Sequence, residues 1–273
     1  MFPISGSTQY KKYIPKIVRK HVRTARRNLR LLNKSLRNST KAFRPDESGY
    51  RLAIGEFGGF AVAYRAGTAD EEVVRRKDIF FSGVPEYNPE PDHVIIDVGA
   101  HIGTFSMLAG SKVPRGRVYA LEASKETFNY LTINIALNQL RNVQATHVAL
   151  AGGQGRTVLY YDEGNWGHSI TKRFSSRGEE VQTNTLAGYM AEHGIERCNF
   201  IKFNCEGAEF PILLNTSAQV LGRINLMFIH YHCDLAQEYN LHSLMSHLRD
   251  SGFVTRVTNP TMERGRIIAT RVN

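Results

Sequence analysis

Val94-Ile95-Ile96-Asp97-Val98-Gly99-Ala100-His101-Ile102-Gly103-Thr104-Phe105-Ser106 is the stretch whose reading decides the fold. An apolar run ends in an acid, a turn with two glycines follows, and a helix starts behind it. A second apolar run, Val118-Tyr119-Ala120-Leu121, also ends in an acid, Glu122. Two acid-tipped strands joined through a glycine turn and a helix describe a nucleotide-type site at the carboxyl edge of a parallel sheet.

The residue types narrow what such a site holds. Gly99 and Gly103 permit close backbone approach and positive φ. Amides at the start of the next helix point into the turn. Ionised Asp97 and Glu122 only accept hydrogen bonds, which suits ammonium and hydroxyl donors, and Asp97 would repel a phosphate. A dinucleotide site requires Gly-x-Gly-x-x-Gly; this chain has Gly-x-x-x-Gly. The pattern fits S-adenosylmethionine (SAM), with Glu122 on the ribose hydroxyls. The expected cofactor-binding residues are Asp97, Gly99, His101, Gly103, Glu122 and, on the third strand, Ala149.

The chain has 273 residues, enough for one sizeable α/β domain with extensions. No apolar stretch approaches a bilayer span, and the N-terminus does not read as a secretory signal. Cys198, Cys205 and Cys233 show no metal or disulfide spacing, so a reducing, cytoplasmic setting is expected, with no metal. The net charge of +10 is uneven. Of 35 Lys and Arg, 13 fall in residues 1–45, which hold no Asp or Glu; the remaining 22 face 25 acids. The basicity belongs to the leader, not to the body.

Three segments are expected: a basic helical extension over 1–45, a β-hairpin and helix over 46–90, and a catalytic domain over 91–273. In the first, Val18, Val22, Ala25, Leu29, Leu32 and Leu36 alternate at spacings of four and three, giving an amphipathic helix with a basic outer face. Its expected partner is the body or a second copy in a homodimer. An acidic lipid surface ranks behind, with nucleic acid and a transit role as further readings. Arg51–Ile54 and Phe60–Arg65 flank a glycine turn as a hairpin. Behind Glu122 the pattern predicts a helix over 125–138, strands over 143–150 and 157–161, a polar loop holding Trp166 and His168, and a helix over 186–192. Strands over 200–203 and 224–229, a helix over 241–250 and two closing strands, 253–257 and 266–270, complete the series. Alternating strands and helices make a parallel sheet covered on both faces, with an antiparallel edge.

From Arg65 to His232 the chain resembles the FkbM-type SAM-dependent methyltransferases. The resemblance rests on four motifs in order: Arg65-x-Gly67-Thr68-x-Asp70, Ile96-Asp97-Val98-Gly99-Ala100-His101-Ile102-Gly103, Leu121-Glu122-Ala123, and Ile201-Lys202-Phe203-Asn204-Cys205-Glu206-Gly207-Ala208-Glu209. It implies an α/β, Rossmann-like class I methyltransferase sheet with one reversed strand. It also implies methyl transfer, usually to a hydroxyl of a sugar, glycan or other small molecule. Two departures stand out: Asn204 replaces the family's usual Asp, and His230 stands near its usual Glu.

Methyl transfer to oxygen is an in-line displacement that gains from positioning and from a base near the hydroxyl. Histidine suits that role. The expected catalytic residues are His230, His232, Asn204 and Glu206, against structural alternatives in which the histidines orient substrate and Glu206 caps a helix. His168 is a candidate for closing the site, and Trp166 for stacking on a sugar or adenine. Arg65 and Asp70 are expected to brace the hairpin. Competing readings are an RNA methyltransferase using the basic leader and a non-catalytic SAM-binding protein.

Overall fold

The computed structural model describes residues 51–75, 87–162, 167–261 and 263–272. The basic extension over 1–45 and Trp166 lie outside the described residues, as does part of the segment over 46–90. No helix among the described residues is long and apolar enough to cross a membrane.

Val94–Val98 (β3) carries apolar side chains on both faces and is buried from both sides. Ile96 and Val98 pack into one core with Leu186, Met190, Ile212, Leu244 and Leu248. Ile95 packs into another with Phe105, Ala109 and Leu131. A strand covered on both faces belongs in the middle of a parallel sheet. It pairs in parallel with Arg117–Glu122 (β4) on one side and Phe200–Phe203 (β9) on the other. Val143–His147 (β5) extends the sheet beyond β4, and Leu226–His232 (β10) extends it beyond β9. Phe253–Thr258 (β11) and Arg264–Arg271 (β12) form the antiparallel end. The order is β11-β12-β10-β9-β3-β4-β5, with β12 running against the rest.

The covering helices are Thr104–Lys112 (α2) and Lys125–Leu137 (α3) on one face, and Leu186–Glu192 (α4), Glu209–Leu214 (α5) and Leu241–Asp250 (α7) on the other. A short helix, Ala218–Leu221 (α6), links α5 to β10. Side-chain caps start several of them: Ser124 accepts from the Thr127 amide, Thr185 from Gly188 and Asn240 from Ser243.

The hairpin is Arg51–Phe57 (β1) and Phe60–Ala66 (β2), followed by Ala69–Arg75 (α1). The edge of β2 finds hydrogen bonds in side chains instead of a third strand. Asn134 of α3 accepts from the Ala63 amide at 2.7 Å and donates to its carbonyl at 3.0 Å. One turn on, Asn138 does the same for Ala61, at 3.1 and 2.8 Å.

Several expected boundaries move. The strand expected over 143–150 breaks at Val148, whose amide turns to the Glu122 carbonyl; Ala149–Leu150 (β6) then joins a second sheet. That sheet, ordered β6-β8-β7, contains Gly155–Tyr160 (β7) and the unexpected Gly178–Asn184 (β8). Only Val181 among the first five residues of β8 is buried, so its sequence lacks an apolar alternation. The fifth core strand starts at Leu226 instead of Ile224, which makes only an isolated bridge to Cys198, and runs on to His232 because β12 pairs along its whole length.

Candidate active site

A cavity of ≈ 560 Å³ opens at the carboxyl ends of β3, β4, β9 and β10. β3 is where the sheet order reverses, and ligands in open α/β sheets bind at such a point.

The two glycines of the first turn do different work. A Cβ on Gly99 would collide with the Asn204 carbonyl oxygen, so Gly99 lets the turns after β3 and β9 close on one another at the cavity wall. Gly103 precedes α2 at φ 91°, and a Cβ there would meet the Leu131 side chain at 2.6 Å. It serves packing and does not line the cavity, contrary to the expected cofactor contact.

Asp97 also departs from expectation. It is fully buried, and its two oxygens accept from Lys202 Nζ at 2.7 Å and Ser106 Oγ at 2.6 Å. The ammonium that Asp97 faces is therefore Lys202 of this chain. Lys202 also donates to the Gly99 carbonyl at 3.2 Å, tying the turn to β9. The clue to it was a charged residue inside the apolar run Phe200-Ile201-Lys202-Phe203.

Glu122 stands on the cavity wall. One oxygen accepts from the His101 amide at 2.8 Å and the other from the Ser124 amide at 2.9 Å. Each carboxylate oxygen keeps a lone pair for a further donor. Burial raises the Glu122 pKa, against the opposing pull of His101 and these amides. His101, at φ 54°, lines the same wall and places Nε2 3.0 Å from Asp70 Oδ1. Asp70 in turn holds Arg65 through both oxygens, at 2.7 and 3.0 Å, and Arg65 reaches Thr127 at 3.1 Å. The Arg65–Asp70 pair thus fastens the hairpin unit to the site.

The other end of the cavity holds Asn204, Glu206, His230 and His232 together. Glu209, fully buried, accepts from the His232 amide at 2.7 Å and from its Nδ1 at 3.0 Å. His232 Nε2 lies 3.4 Å from Glu206 Oε2. The array runs Glu209, His232, Glu206, with Glu206 at the wall. Burial works against a charge on His232, but the Glu209 hydrogen bond and both carboxylates outweigh it, and its pKa is raised. Burial raises Glu206. Glu206 sits at φ 52°, its carbonyl accepts from Ser169 Oγ at 2.6 Å, and Gly167 leaves room for its carboxyl.

His230 behaves oppositely. Its Nδ1 donates to Asn204 Oδ1 at 2.8 Å, which leaves Nε2 as an acceptor. Burial, then His232, Arg266 and Lys202, push its pKa down to about 3. His168 reaches the wall from the loop side; its Nδ1 accepts from the Asp162 amide at 3.1 Å, and burial lowers its pKa to about 4. Burial first, then Glu209, raises Cys205 well above its usual range, which makes it a poor nucleophile.

Glu209 was visible as a neighbour of Glu206 three residues on, but its grip on His232 was not. Arg264 and Arg266, also on the wall, carried no local signal, because only the pairing of β12 with β10 brings them there.

The wall fits the cofactor expected from the sequence. Glu122 offers acceptors to a ribose diol, and Leu121, Ala123, Val148, Ala149, Leu150 and Leu159 form an apolar slot beside it of the kind that takes an adenine ring. No phosphate-binding glycine pattern accompanies them.

Residues 97–255 match the Methyltransferase FkbM domain. The chain is 24% identical over 206 residues to Methyltransferase 1 of Beauveria bassiana, covering 67% of this chain and 82% of that protein. It is 27% identical over 151 residues to Methyltransferase sdnD of Sordaria araneosa, covering 44% of this chain and 58% of that protein. Among solved structures, precorrin-6y C5,15-methyltransferase of Geobacter metallireducens aligns over 83% of this chain and 96% of its own, with 13% identity and a TM-score of 0.47. With the family domain matched over more than half its length and the cavity suited to the family's cofactor, the chain belongs to the FkbM methyltransferases and is a SAM-dependent methyltransferase.

Proposed function

We propose that the protein transfers a methyl group to a hydroxyl of a sugar, glycan or other small molecule, with Glu206 as the base. The observation that carries this reading is the Glu209–His232–Glu206 array on the same wall as Glu122. When bound, SAM supplies an electrophilic methyl carbon on a sulfonium. Glu122, with its two backbone amides, fixes the ribose. Glu206 accepts the hydroxyl proton, and its raised pKa brings it nearer the working pH than an ordinary carboxylate. His232, fixed by Glu209, orients the Glu206 carboxyl. His230, with a pKa near 3, is too weak a base to take the proton itself; the reacting hydroxyl gives its one proton to Glu206, and the acceptor Nε2 of His230 is left to a neighbouring donor of the acceptor molecule. The free cysteines support a reducing, cytoplasmic setting.

The test is turnover of methyl-labelled SAM against hydroxyl and amine acceptors. A Glu206→Gln variant is expected to lose about 10²–10⁴-fold in kcat/KM. The wild-type acid limb is expected above the ordinary carboxylate range, because the base works only when deprotonated. Transfer to amines alone, or a Glu206→Gln enzyme with wild-type turnover, would reject the reading.

A further inference from the structure

The antiparallel register of β10 on β12 sets His230 opposite Arg266 and His232 opposite Arg264. Opposed residues share a sheet face, and all four line the cavity. His230 is neutral above its pKa of about 3, so Arg266 faces no charge directly across the two strands. Three of the four are committed. Arg264 donates to Asp234 at 3.0 and 2.6 Å, His232 lies between Glu209 and Glu206, and His230 donates to Asn204.

Arg266 is the exception. Its guanidinium has no hydrogen bond or ion pair among the described residues. It is half-buried, with Cζ 6.0 Å from the centroid of the Phe228 ring. An aromatic face orients a planar guanidinium without consuming its N–H donors. What remains is a pre-oriented fork, suited to two oxygens of one anion.

We propose that the methyl acceptor carries an oxyanion, a carboxylate or a phosphate monoester, which Arg266 binds while the reacting hydroxyl lies at Glu206. This rests on the O-methylation reading above. The cofactor's own carboxylate is a poor alternative. Four strand spacings separate β12 from β4, where Glu122 stands, roughly 19 Å across the sheet.

The test uses the full chain and two probes, inorganic phosphate and malonate, titrated while the His230 ring is followed by NMR. SAM affinity is measured by calorimetry in the same samples. The expected result is saturable binding of at least one probe, weakened tenfold or more in Arg266→Gln, partly retained in Arg266→Lys, with SAM affinity little changed. The lysine variant also serves if the glutamine variant is unstable. Absence of saturation with both probes, equal binding in wild type and Arg266→Gln, or an equal loss of SAM affinity overturns the proposal.

A second arm identifies the anion. Products labelled from methyl-labelled SAM in a metabolite extract are passed over a quaternary-amine resin at pH 8. Retained product supports an anionic acceptor, and release by phosphatase marks a phosphate rather than a carboxylate. Labelled product that flows through overturns the proposal. No labelled product at all counts against methyl transfer to a small molecule, and the probe titration then decides on Arg266 alone.

Discussion

His230 and His232 stand two residues apart on β10 with ring centroids 4.6 Å apart, yet titrate in opposite directions. The difference lies in their partners: Asn204 gives His230 an uncharged acceptor, and Glu209 gives His232 a buried carboxylate. Sequence placed both histidines and Asn204 at the strand ends, because an apolar strand followed by polar residues marks a carboxyl edge. It could not assign their states, since only the pairing of β9 with β10 brings Glu209, at the start of α5, to His232. Asn204→Asp puts a carboxylate on His230 Nδ1, so the His230 pKa, about 3 in the wild type, is expected to rise in an NMR titration. Stability follows with a defined sign. His230 and His168 have folded values of about 3 and 4, below their ordinary 6.5. Between those limits the unfolded chain binds more protons. Their contribution is complete above pH ~6.5 and is lost as pH falls toward their folded values. Asn204→Asp is expected to flatten that acid loss in the wild-type profile of Tm against pH. A His230 pKa unchanged by the substitution would mean that the Asn204 contact does not govern it.

At the scale of elements, the hairpin joins the body without strand pairing. Phe57, Val62, Ala63 and Val74 pack with Ile102, Met107 and Tyr130, and Asn134, Asn138 and the Arg65–Asp70 pair add polar anchors. The glycine turn between two strand-like runs made the hairpin legible, whereas its anchors on α3 are polar residues on a helix that reads as an ordinary surface. β8 was illegible for a related reason: Glu180 and Gln182 face outward, Glu179 on the other face accepts from the Lys125 amide, and pairing with β6 and β7 supplies what its composition does not. Asp70 holds the charge of Arg65 in a site where both side chains are fully buried. Asp70→Asn removes the nearer of two carboxylates from that guanidinium and leaves only Glu126, 3.4 Å away, a change expected to cost about 3 kcal/mol in urea unfolding. Since Asp70 has a depressed pKa in the fold, its contribution is present above its unfolded value near 4 and is lost as pH falls through the lower folded one. A loss below 1 kcal/mol would class the pair with surface ion pairs and remove the clamp from the account of how His101 is positioned.

On the scale of the whole molecule, one cavity is walled by residues from four parts of the fold. Phe57 and Ala69 come from the hairpin unit, Gly99 and Glu122 from one half of the main sheet, Asn204 and His230 from the other, and Leu159 from the small β6-β8-β7 sheet. The sheet order was readable because apolar strands and helices alternate; the enclosure was not, since it depends on the small sheet and on the turn of the chain at Val148. The cavity exists only in the folded state, so SAM at 100 times its Kd is expected to add about 2.7 kcal/mol. For a chain of this size that is roughly 5 °C or more in Tm. Glu122 is the residue through which this coupling is most exposed to test, because its carboxyl stands on the cavity wall and also accepts from the His101 and Ser124 amides. Glu122→Ala is expected to lower the stability of the free protein by about 1–3 kcal/mol, through those unpaired amides. Its second effect is separate: loss of a charged acceptor for ribose weakens SAM about 10–100-fold and shrinks the SAM-induced rise in Tm. Thermal scans of both proteins across a SAM series distinguish the two. A variant that is destabilised when free yet gains as much from each SAM concentration as the wild type would leave Glu122 a purely structural role, and the ribose contact would have to be sought elsewhere on the wall.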